Sequence, residues 1–431
     1  MSFRRPVLST NPRPRPALVL GLICLALSSL PVQAAESEKN PTSTSPAVIS
    51  NLEQALVLAW PRHPAARSAS HAQALITQQN LAAERWLAAP PSLQLSHRSD
   101  AWSGGSQGSR ENEAALELPL RWPAERQAER RSAEAQSQQW SRAQAAARWA
   151  LSGELREAWW ALRLASTEQA AAEQNLANLQ ALRADVARRL KAGDLARLDM
   201  NQALSAEQSA QAALVEAQAA RAAAQSAWAL LVGSANTSPS APDEAFDPAS
   251  PEAPAGEHPA LSLLQARQAL LSTQVERART SSYAGPTLGL ALTRERGSSL
   301  EPAANSARLS LSLPLGRQPE AAVQAAQAAA ERAEVEVEIA LFHERQAAAI
   351  AQARQQAQRS AEQTALAQSR LALASDSLAL QRRAFDLGAI DLPTRLRAEA
   401  EQAQAELALA RSRIEQQRSA SRLSQAQGWM P

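Results

Sequence analysis

The chain has 431 residues, of which only 3% are aromatic, and its formal net charge is +2. An abundance of Ala, Gln, Glu, Arg and Leu with so few aromatics favours long helices over a conventional globular core. The first 34 residues contain four arginines and no acid, so the rest of the chain carries +2 − 4 = −2. This balance gives little support for a nucleic-acid partner.

Residues 1–35 have the pattern of a secretory signal peptide. A basic start precedes the apolar run ALVLGLICLALSSL, and VQA-A supplies small residues for cleavage at Ala34 or Ala35. The run is too short to span a membrane as a helix. Cys24, the only cysteine, lies within it after an isoleucine, which disfavours a lipid anchor. The mature chain, which starts with the polar segment 36–49, therefore has no disulfide and no thiolate ligand.

Four landmarks of the sequence recur with the same offset of 195 residues. They are His63-Pro64 and His258-Pro259, Pro91 and Pro286, LELPL from Leu116 and LSLPL from Leu311, and Gly193 and Gly388. A constant offset over four landmarks predicts an internal duplication. We expect two tandem repeats, 50–233 and 259–427, with the Pro-rich stretch 234–258 as the connector between them.

Each predicted repeat contains one β-hairpin. Leucines alternate with small or polar residues at about 91–120 and again at about 286–315, which is the period of a strand with one apolar face. Stretches rich in Gly, Ser and charged residues separate the two strands of each pair. The pattern predicts two hairpins, each with a leucine face.

Long helices follow both hairpins. The runs 124–192 and 320–387 contain a single glycine between them, and at 1.5 Å per residue each reaches about 100 Å. Shorter helical stretches then begin at Leu195 and Leu392. Gly193 and Gly388 therefore mark reversals between antiparallel helices, and the predicted fold is mainly α with one β-hairpin in each repeat.

The two hairpins have the pattern of a transmembrane barrel, with a leucine side toward lipid and a polar side toward water. Four strands cannot close a barrel, and an open sheet edge in lipid leaves backbone groups unpaired. Closure therefore needs other copies, since two chains give 8 strands and three give 12. Trp86, Trp122 and Tyr283, near the strand ends, are candidates for the membrane interface. The alternative is a soluble hairpin packed on helices.

The order of these segments resembles the TolC-like outer membrane efflux proteins. The resemblance rests on the signal peptide, on LEQALVLAWPRHPAARSA, AGDLARLDMNQALSAEQSAQAAL and FDLGAIDLPTRLRAEAEQAQAELALARSRIEQQ, and on their duplicated order. It implies a homotrimer in which a 12-stranded barrel in the outer membrane continues into an α-barrel across the periplasm. It also implies a periplasmic adaptor protein and an inner-membrane pump as partners. The phrase LGAIDLPTRLRAEAE is similar to the heavy-metal efflux branch.

In that family the glycine turns are the periplasmic tips where the adaptor docks. The matching positions in this chain are Ala192, Gly193, Asp194 and Leu195 in the first repeat, and Leu387, Gly388, Ala389 and Ile390 in the second. Glycine permits a positive φ and a close approach, and an apolar neighbour gives a partner something to bury. Helix capping alone also explains both glycines.

The family also narrows its channel near the tips with acidic side chains. Asp199 matches this pattern in the first repeat, whereas the second has Thr394 and Arg397 at the matching places. Three copies of Asp199 would still form one acidic ring. The alternative is that Asp199 is a solvated residue at the start of a helix.

Nothing in the sequence indicates an enzyme, a cofactor or a metal site. There is no glycine-rich phosphate loop and no G-x-S-x-G. Two of the five histidines occupy matching His-Pro positions, as expected of a structural turn, and His63 and His71 lack a nearby carboxylate cluster for a metal. The competing class is a periplasmic coiled-coil adaptor or spacer, which would ordinarily have one helical hairpin inserted in a small β domain.

Overall fold

The computed structural model describes residues 51–100, 108–233 and 257–430. The predicted signal peptide with its cleavage residues Ala34 and Ala35, the polar segment after it and most of the connector lie outside the described residues. So does part of the loop of the first hairpin.

The same order of elements occurs in both halves of the described chain. The first half consists of α1 (Leu52–Ala59), α2 (Pro64–Arg67), α3 (Ala69–Glu84), β1 (Ser92–Ser99), β2 (Arg110–Pro119), α4 (Pro123–Ala192) and α5 (Arg197–Val232). The second half consists of α6 (Pro259–Thr280), β3 (Thr287–Arg296), β4 (Ala304–Ser312), α7 (Pro319–Asp386) and α8 (Leu392–Ala426). The prediction of a mainly helical chain with one antiparallel hairpin in each half is confirmed.

Both His-Pro pairs begin helices. The Nδ1 atom of His63 accepts a hydrogen bond of 3.2 Å from the amide of Ala65, and His258 accepts one of 3.2 Å from Ala260. The proline after each histidine stands at the first helical position, where a missing N–H costs nothing. Burial lowers the pKa of His258, so its imidazole stays neutral and can accept. These histidines are helix caps.

The two hairpins join into one antiparallel sheet with the order β1-β2-β3-β4. Residues directly opposite each other in such a sheet share a face. One cross-strand row consists of Leu93, Leu116, Leu290 and Leu309. The leucines therefore lie on one face of all four strands, which we call the leucine face. The opposite face, the polar face, carries Ser, Thr, Gln and charged residues.

The two longest helices differ in how many other helices they contact. α4 packs against α3, α5, α6 and α8, whereas α7 packs mainly against α6 and α8. Of its 70 residues α4 buries 14, and of its 68 residues α7 buries only 7. Much of the α7 surface is therefore uncovered in a single copy. None of the helices in the described ranges is long and apolar enough to cross a membrane.

The largest apolar core joins α1, α4 and α5 in the middle of the helical part. It contains Trp159, Trp160 and Trp228, and the rings of Trp159 and Trp228 meet edge to face with centroids 5.7 Å apart. Next to it on α4, the carboxylate of Glu157 binds Arg418 and Arg422 of α8. We call this region the equator.

Candidate functional site

Both helical hairpins end in the same turn. After α4, the amide of Gly193 donates a hydrogen bond of 3.1 Å to the carbonyl of Leu190. The amide of Asp194 donates one of 2.9 Å to the carbonyl of Arg189. After α7, the amides of Gly388 and Ala389 repeat this pattern at 3.0 and 2.8 Å, to residues three and five positions earlier. These are Schellman motifs, which need a residue with φ > 0. The two glycines have φ of 90° and 76°.

The predicted docking residues divide into two groups. Six of them are exposed: Ala192, Gly193, Asp194, Leu387, Gly388 and Ala389. The side chain of Leu387 is 85% exposed, and a Cβ added to either glycine would meet nothing within 4 Å. Leu195 and Ile390 instead pack on the cluster of Leu182, Val186 and Phe385 inside the tip. Among the predicted docking residues, the tips thus present exposed backbone at both glycines and one exposed leucine, Leu387.

The carboxylate at Asp199 caps a helix. Its Oδ2 accepts from the amide of Ala196 at 2.8 Å, at the start of α5. At the start of α8 the capping carboxylate has moved to Asp391, which accepts from the amide of Thr394 at 3.1 Å. At the offset of 195, position 196 corresponds to 391 and position 199 to 394. The capping acid therefore stands at the second of these positions in the first tip, as Asp199, and at the first of them in the second tip, as Asp391. This accounts for Thr394 without any role in a channel.

The aperture candidates therefore differ in surroundings. Asp199 is half-buried, Thr394 is half-buried beside its cap, and Arg397 is exposed. Arg397 also helps to hold the pKa of Asp391 below its ordinary value, after the larger effect of the hydrogen bonds from Thr394.

The two tips are joined by a contact that the sequence did not indicate. The Nη2 of Arg189, near the end of α4, lies 2.6 Å from Oδ1 of Asp386 at the end of α7. Arg189 and Arg395 each place their guanidinium carbon 4.9 Å from the ring centroid of Phe385, which is 3% exposed. Arg395 also reaches Asp386 at 4.0 Å. We call these four residues the tip latch.

The latch had one weak signal in the sequence. Phe385 is one of only four phenylalanines in the chain, and it stands three residues before a tip glycine. A large aromatic close to an exposed turn needs a cover, and arginine side chains commonly stack on aromatic faces. The partners lie on other helices, so their identity required the structure.

The three interface candidates meet at the junction between the sheet and the helices. Trp86, Trp122 and Tyr283 are 60%, 39% and 43% exposed. The indole N–H of Trp122 donates to the carbonyl of Ala284 at 3.1 Å, and Arg317 donates to the Tyr283 hydroxyl at 2.9 Å.

The described residues hold no group of three His, Cys, Asp or Glu side chains that could bind a metal ion. The histidines of the two His-Pro pairs use Nδ1 to cap helices. His97, on β1, lies 2.6 Å from Oδ1 of Asn112 on β2.

The fold matches solved structures of outer membrane channels. The Campylobacter jejuni CmeC outer membrane channel superposes with a TM-score of 0.67 and 15% identity, over 88% of this chain and 85% of that one. The Vibrio cholerae outer membrane protein VceC gives 0.67 and 17%, over 88% and 96%. CusC, whose structures concern transmembrane channel formation, gives 0.68 and 18%, over 88% and 92%. No protein-family model and no curated protein matches the chain.

These identities establish a shared fold. The chain has the TolC-like channel fold over most of its length and over most of each of those channels. The resemblance found in the sequence is thereby confirmed at the level of architecture.

Proposed function

We propose that this protein is the outer membrane channel of a tripartite efflux system. It works as a homotrimeric, passive conduit across the outer membrane and the periplasm, with a periplasmic adaptor and an inner-membrane pump as partners. The observation that carries the proposal is the four-stranded sheet, which exposes a face of leucines and has two open edges. A conduit needs no catalytic residue and no cofactor.

The leucine face has the properties of a lipid-facing surface. Leu93, Leu95 and Leu309 are 66%, 75% and 73% exposed in a single copy. The strands have 8 to 10 residues, close to the length of about 9–11 that a tilted strand needs to span a bilayer. In water such a surface would promote aggregation, whereas in lipid it is stable.

The open edges support closure by further copies. β1 and β4 each have one neighbour in the sheet, and unpaired edges in lipid cost several kcal/mol per backbone group. Pairing β4 of one copy with β1 of the next is a head-to-tail contact, which closes into a ring. Three copies of four strands give a 12-stranded barrel.

The helices favour the same head-to-tail contact. Exposed leucines on α7 recur every seven residues: Leu366, Leu373 and Leu380 are 71%, 68% and 58% exposed. A seven-residue repeat of leucines is the seam of a left-handed coiled coil. The neighbouring copy would cover this seam and complete an α-barrel around the conduit.

The tips are the docking surface for the adaptor in this proposal. The exposed residues around Gly193 and Gly388 offer backbone that a partner helix can approach closely, and Leu387 offers an apolar side chain to bury. The tip latch would hold the conduit closed, and breaking it would let one helical hairpin move relative to the other. The energy for export would come from the pump.

The exported substrate is proposed from the sequence resemblance alone, as a heavy-metal cation. The three aperture candidates do not form a paired acidic set in both halves, so only Asp199 supports an attraction for cations. Growth of a deletion strain on metal salts and on drugs tests this directly. Sensitivity to drugs with unchanged metal tolerance would rule out the metal assignment.

Membrane fractionation followed by unheated gel electrophoresis tests the channel itself. We expect the protein in the outer membrane fraction, as a band of trimer size that heating converts to a monomer. A soluble periplasmic monomer would contradict the proposal and favour a coiled-coil adaptor or spacer.

Substitution of the tip glycines tests the docking role. Gly193→Val and Gly388→Val should reduce efflux strongly while the trimer band persists, because both residues have φ > 0 and point into open space. Gly316→Val is the matched control, since its Cβ would also meet nothing within 4 Å but its φ is not positive. Normal efflux in both tip variants would remove the docking claim.

A further inference from the structure

The leucine face changes its chemistry at the end of the strands that lies away from the helices. On β3 the same face continues from Leu292 to Arg294 and Arg296, and on β2 it begins with Arg110. β2 is followed by α4 and β3 is preceded by α6 at the other end. Three arginines therefore border the leucines at the strand ends remote from the helices. We call them the arginine rim.

The charges of the sheet are sorted by face. All four glutamates of the strands lie on the polar face: Glu111, Glu113, Glu117 and Glu295. The leucine face of the four strands carries no acid and three of the five arginines. If the charged side chains were placed at random, each face would carry both arginines and glutamates, and their charges would neutralise each other. The arginine rim is thus a positive patch without a protein counter-charge on its own face.

The register places the three arginines close enough on the sheet for their side chains to reach one anion. Arg110 and Arg296 are directly opposite each other, and neighbouring strands are about 5 Å apart. Arg294 lies two residues along the strand, which is about 7 Å. Like charges directly opposite each other in a sheet destabilise it. An anion bound between the arginines would replace their mutual repulsion with an attraction of each arginine to the anion.

The arginines also have unused donors. Arg110 and Arg294 are exposed, and the half-buried Arg296 has its Nε buried with no hydrogen-bond partner among the described residues. Among those residues no ion pair joins any of the three to an acid. Guanidinium groups bind phosphate oxygens through two parallel hydrogen bonds, and they do so better than ammonium groups.

We propose that the arginine rim binds the phosphate of an anionic lipid headgroup in the outer leaflet of the membrane. This inference rests on the proposed function, which puts the leucine face in lipid and the helices in the periplasm. The leucines below the rim, beginning with Leu292 and Leu290, contact the acyl chains of the same lipid. A free phosphate ion would use the arginines but gain nothing from the leucines.

Lipid retention by the purified trimer tests the site. The probes are diphosphorylated lipid A, the same lipid A with its phosphates removed, and inorganic phosphate, each measured by native mass spectrometry of the full-length protein. The test variant is Arg294→Gln with Arg296→Gln. The matched control is Arg98→Gln with Arg308→Gln, which removes the same charge from the polar face.

We expect the rim variant to retain diphosphorylated lipid A roughly thirtyfold more weakly than the wild type, at about a factor of five per arginine. The polar-face control should retain it as the wild type does, and neither variant should alter retention of the phosphate-free lipid. Equal retention of diphosphorylated lipid A by the rim variant and the wild type would overturn the site. Binding of inorganic phosphate alone with comparable affinity would overturn the lipid assignment.

Two further measurements keep the inference separate from folding and from the proposed function. If the rim variant fails to form a trimer, the wild type alone tests the site. Equal retention of diphosphorylated and phosphate-free lipid A by the wild type would contradict the site. Fractionation of the wild type tests the membrane location independently. Absence from the outer membrane refutes the proposed function, whereas a membrane trimer without phosphate preference refutes only the arginine rim.

Discussion

The equator and the tips connect the two helical hairpins in different ways, because the equator joins α4 to α8 whereas the pair of Arg189 and Asp386 joins α4 to α7. At the equator the contact lies beside a core with three tryptophans, and Glu157 bridges two arginines of α8 at 2.5 to 3.2 Å. At the tips the two hairpins meet through a smaller apolar cluster, in which Val186 of α4 lies with Phe385 of α7, and through the ion pair of Arg189 with Asp386. The apolar core is larger at the equator, and the tips add a partly exposed ion pair to a smaller core.

This difference indicates which end of the helices can move. Apolar burial is lost whenever the buried groups separate, whereas an exposed ion pair exchanges its partner for water at a cost of about 1 kcal/mol or less. Separating the tips therefore costs less free energy than separating the equator, because less apolar surface is buried there. A conduit that opens only at its periplasmic end needs this distribution of stability.

The largest effect on stability is expected from removing one aromatic ring at the equator and, in a second variant, one at the tips. Trp228→Ala should lower the free energy of unfolding by about 3–5 kcal/mol, because the ring is 1% exposed and packs on Trp159. Phe385→Ala should cost less, since the apolar cluster around Phe385 is smaller than that around Trp228 and two arginines lie over its ring. Chemical denaturation of both variants measures the difference, and an equal loss would contradict the distinction between the two regions.

Breaking the tip latch should change conduction more than stability. Arg189→Gln removes the 2.6 Å pair with Asp386 and should raise the open fraction about fivefold, the equivalent of about 1 kcal/mol. Single-channel recording in planar bilayers measures it. Arg411→Gln is the control, because it breaks a 2.7 Å pair with Glu168 that joins the two helical hairpins through α8 and α4 but lies away from the tips. A similar rise of the open fraction in Arg411→Gln would show that the effect is not specific to the tip latch.

The equatorial ion pair should make stability depend on pH. Hydrogen bonds from Arg422 and Arg418 lower the pKa of Glu157 from about 4.5 to about 2. A carboxylate whose pKa is lower in the folded state stabilises the fold above its unfolded pKa, and this contribution disappears as the pH falls from about 4.5 toward 2. Because Glu157 is half-exposed, the contribution should be no more than about 1 kcal/mol.

The comparison that checks this is acid unfolding of the wild type and of Glu157→Gln. The variant should be less stable at neutral pH, and the gap should close below about pH 3. A gap that stays constant from pH 7 to pH 2 would show that the charge of Glu157 is not the cause.

The smallest effect is expected at the starts of the helices after the tips. Removing the capping carboxylate with Asp391→Ala or Asp199→Ala should lower the thermal midpoint slightly, because one helix start loses an acceptor. Moving the acid within the first tip, with Ala196→Asp and Asp199→Thr together, should restore the midpoint of the wild type. Failure of the exchange would show that Asp199 has a role beyond capping, as in the proposed aperture.

Much of the architecture could be predicted from local patterns. The tip glycines, the His-Pro helix starts and the alternating leucines each depend on residues within a few positions of one another, and the structure has the turns, helix starts and strands that they predict. The aperture candidates show the limit of this reasoning. Asp199 and Thr394 occupy matching positions, but the capping acid at Asp391 explains their difference only once the hydrogen bonds are known.

Contacts between distant segments could not be predicted in the same way. Arg189 and Asp386 are 197 residues apart in the chain, slightly more than the repeat offset of 195, and nothing near either residue identifies the other. The arginine rim also depends on register, because a shift of one residue would move Arg294 and Arg296 to the polar face. Their position relative to Leu292 within β3 is local, but their pairing with Arg110 is not.

The sequence by itself determined the elements of this protein: the long helices, the two hairpins and the turns that reverse the chain. Those features follow from backbone preferences and from the period of apolar residues, which act over a few residues. Only the tertiary structure decided which charges meet at the tip latch, which face collects the arginines and which edges stay open. These depend on long-range packing and strand register, because a side chain finds its partner in space rather than along the chain.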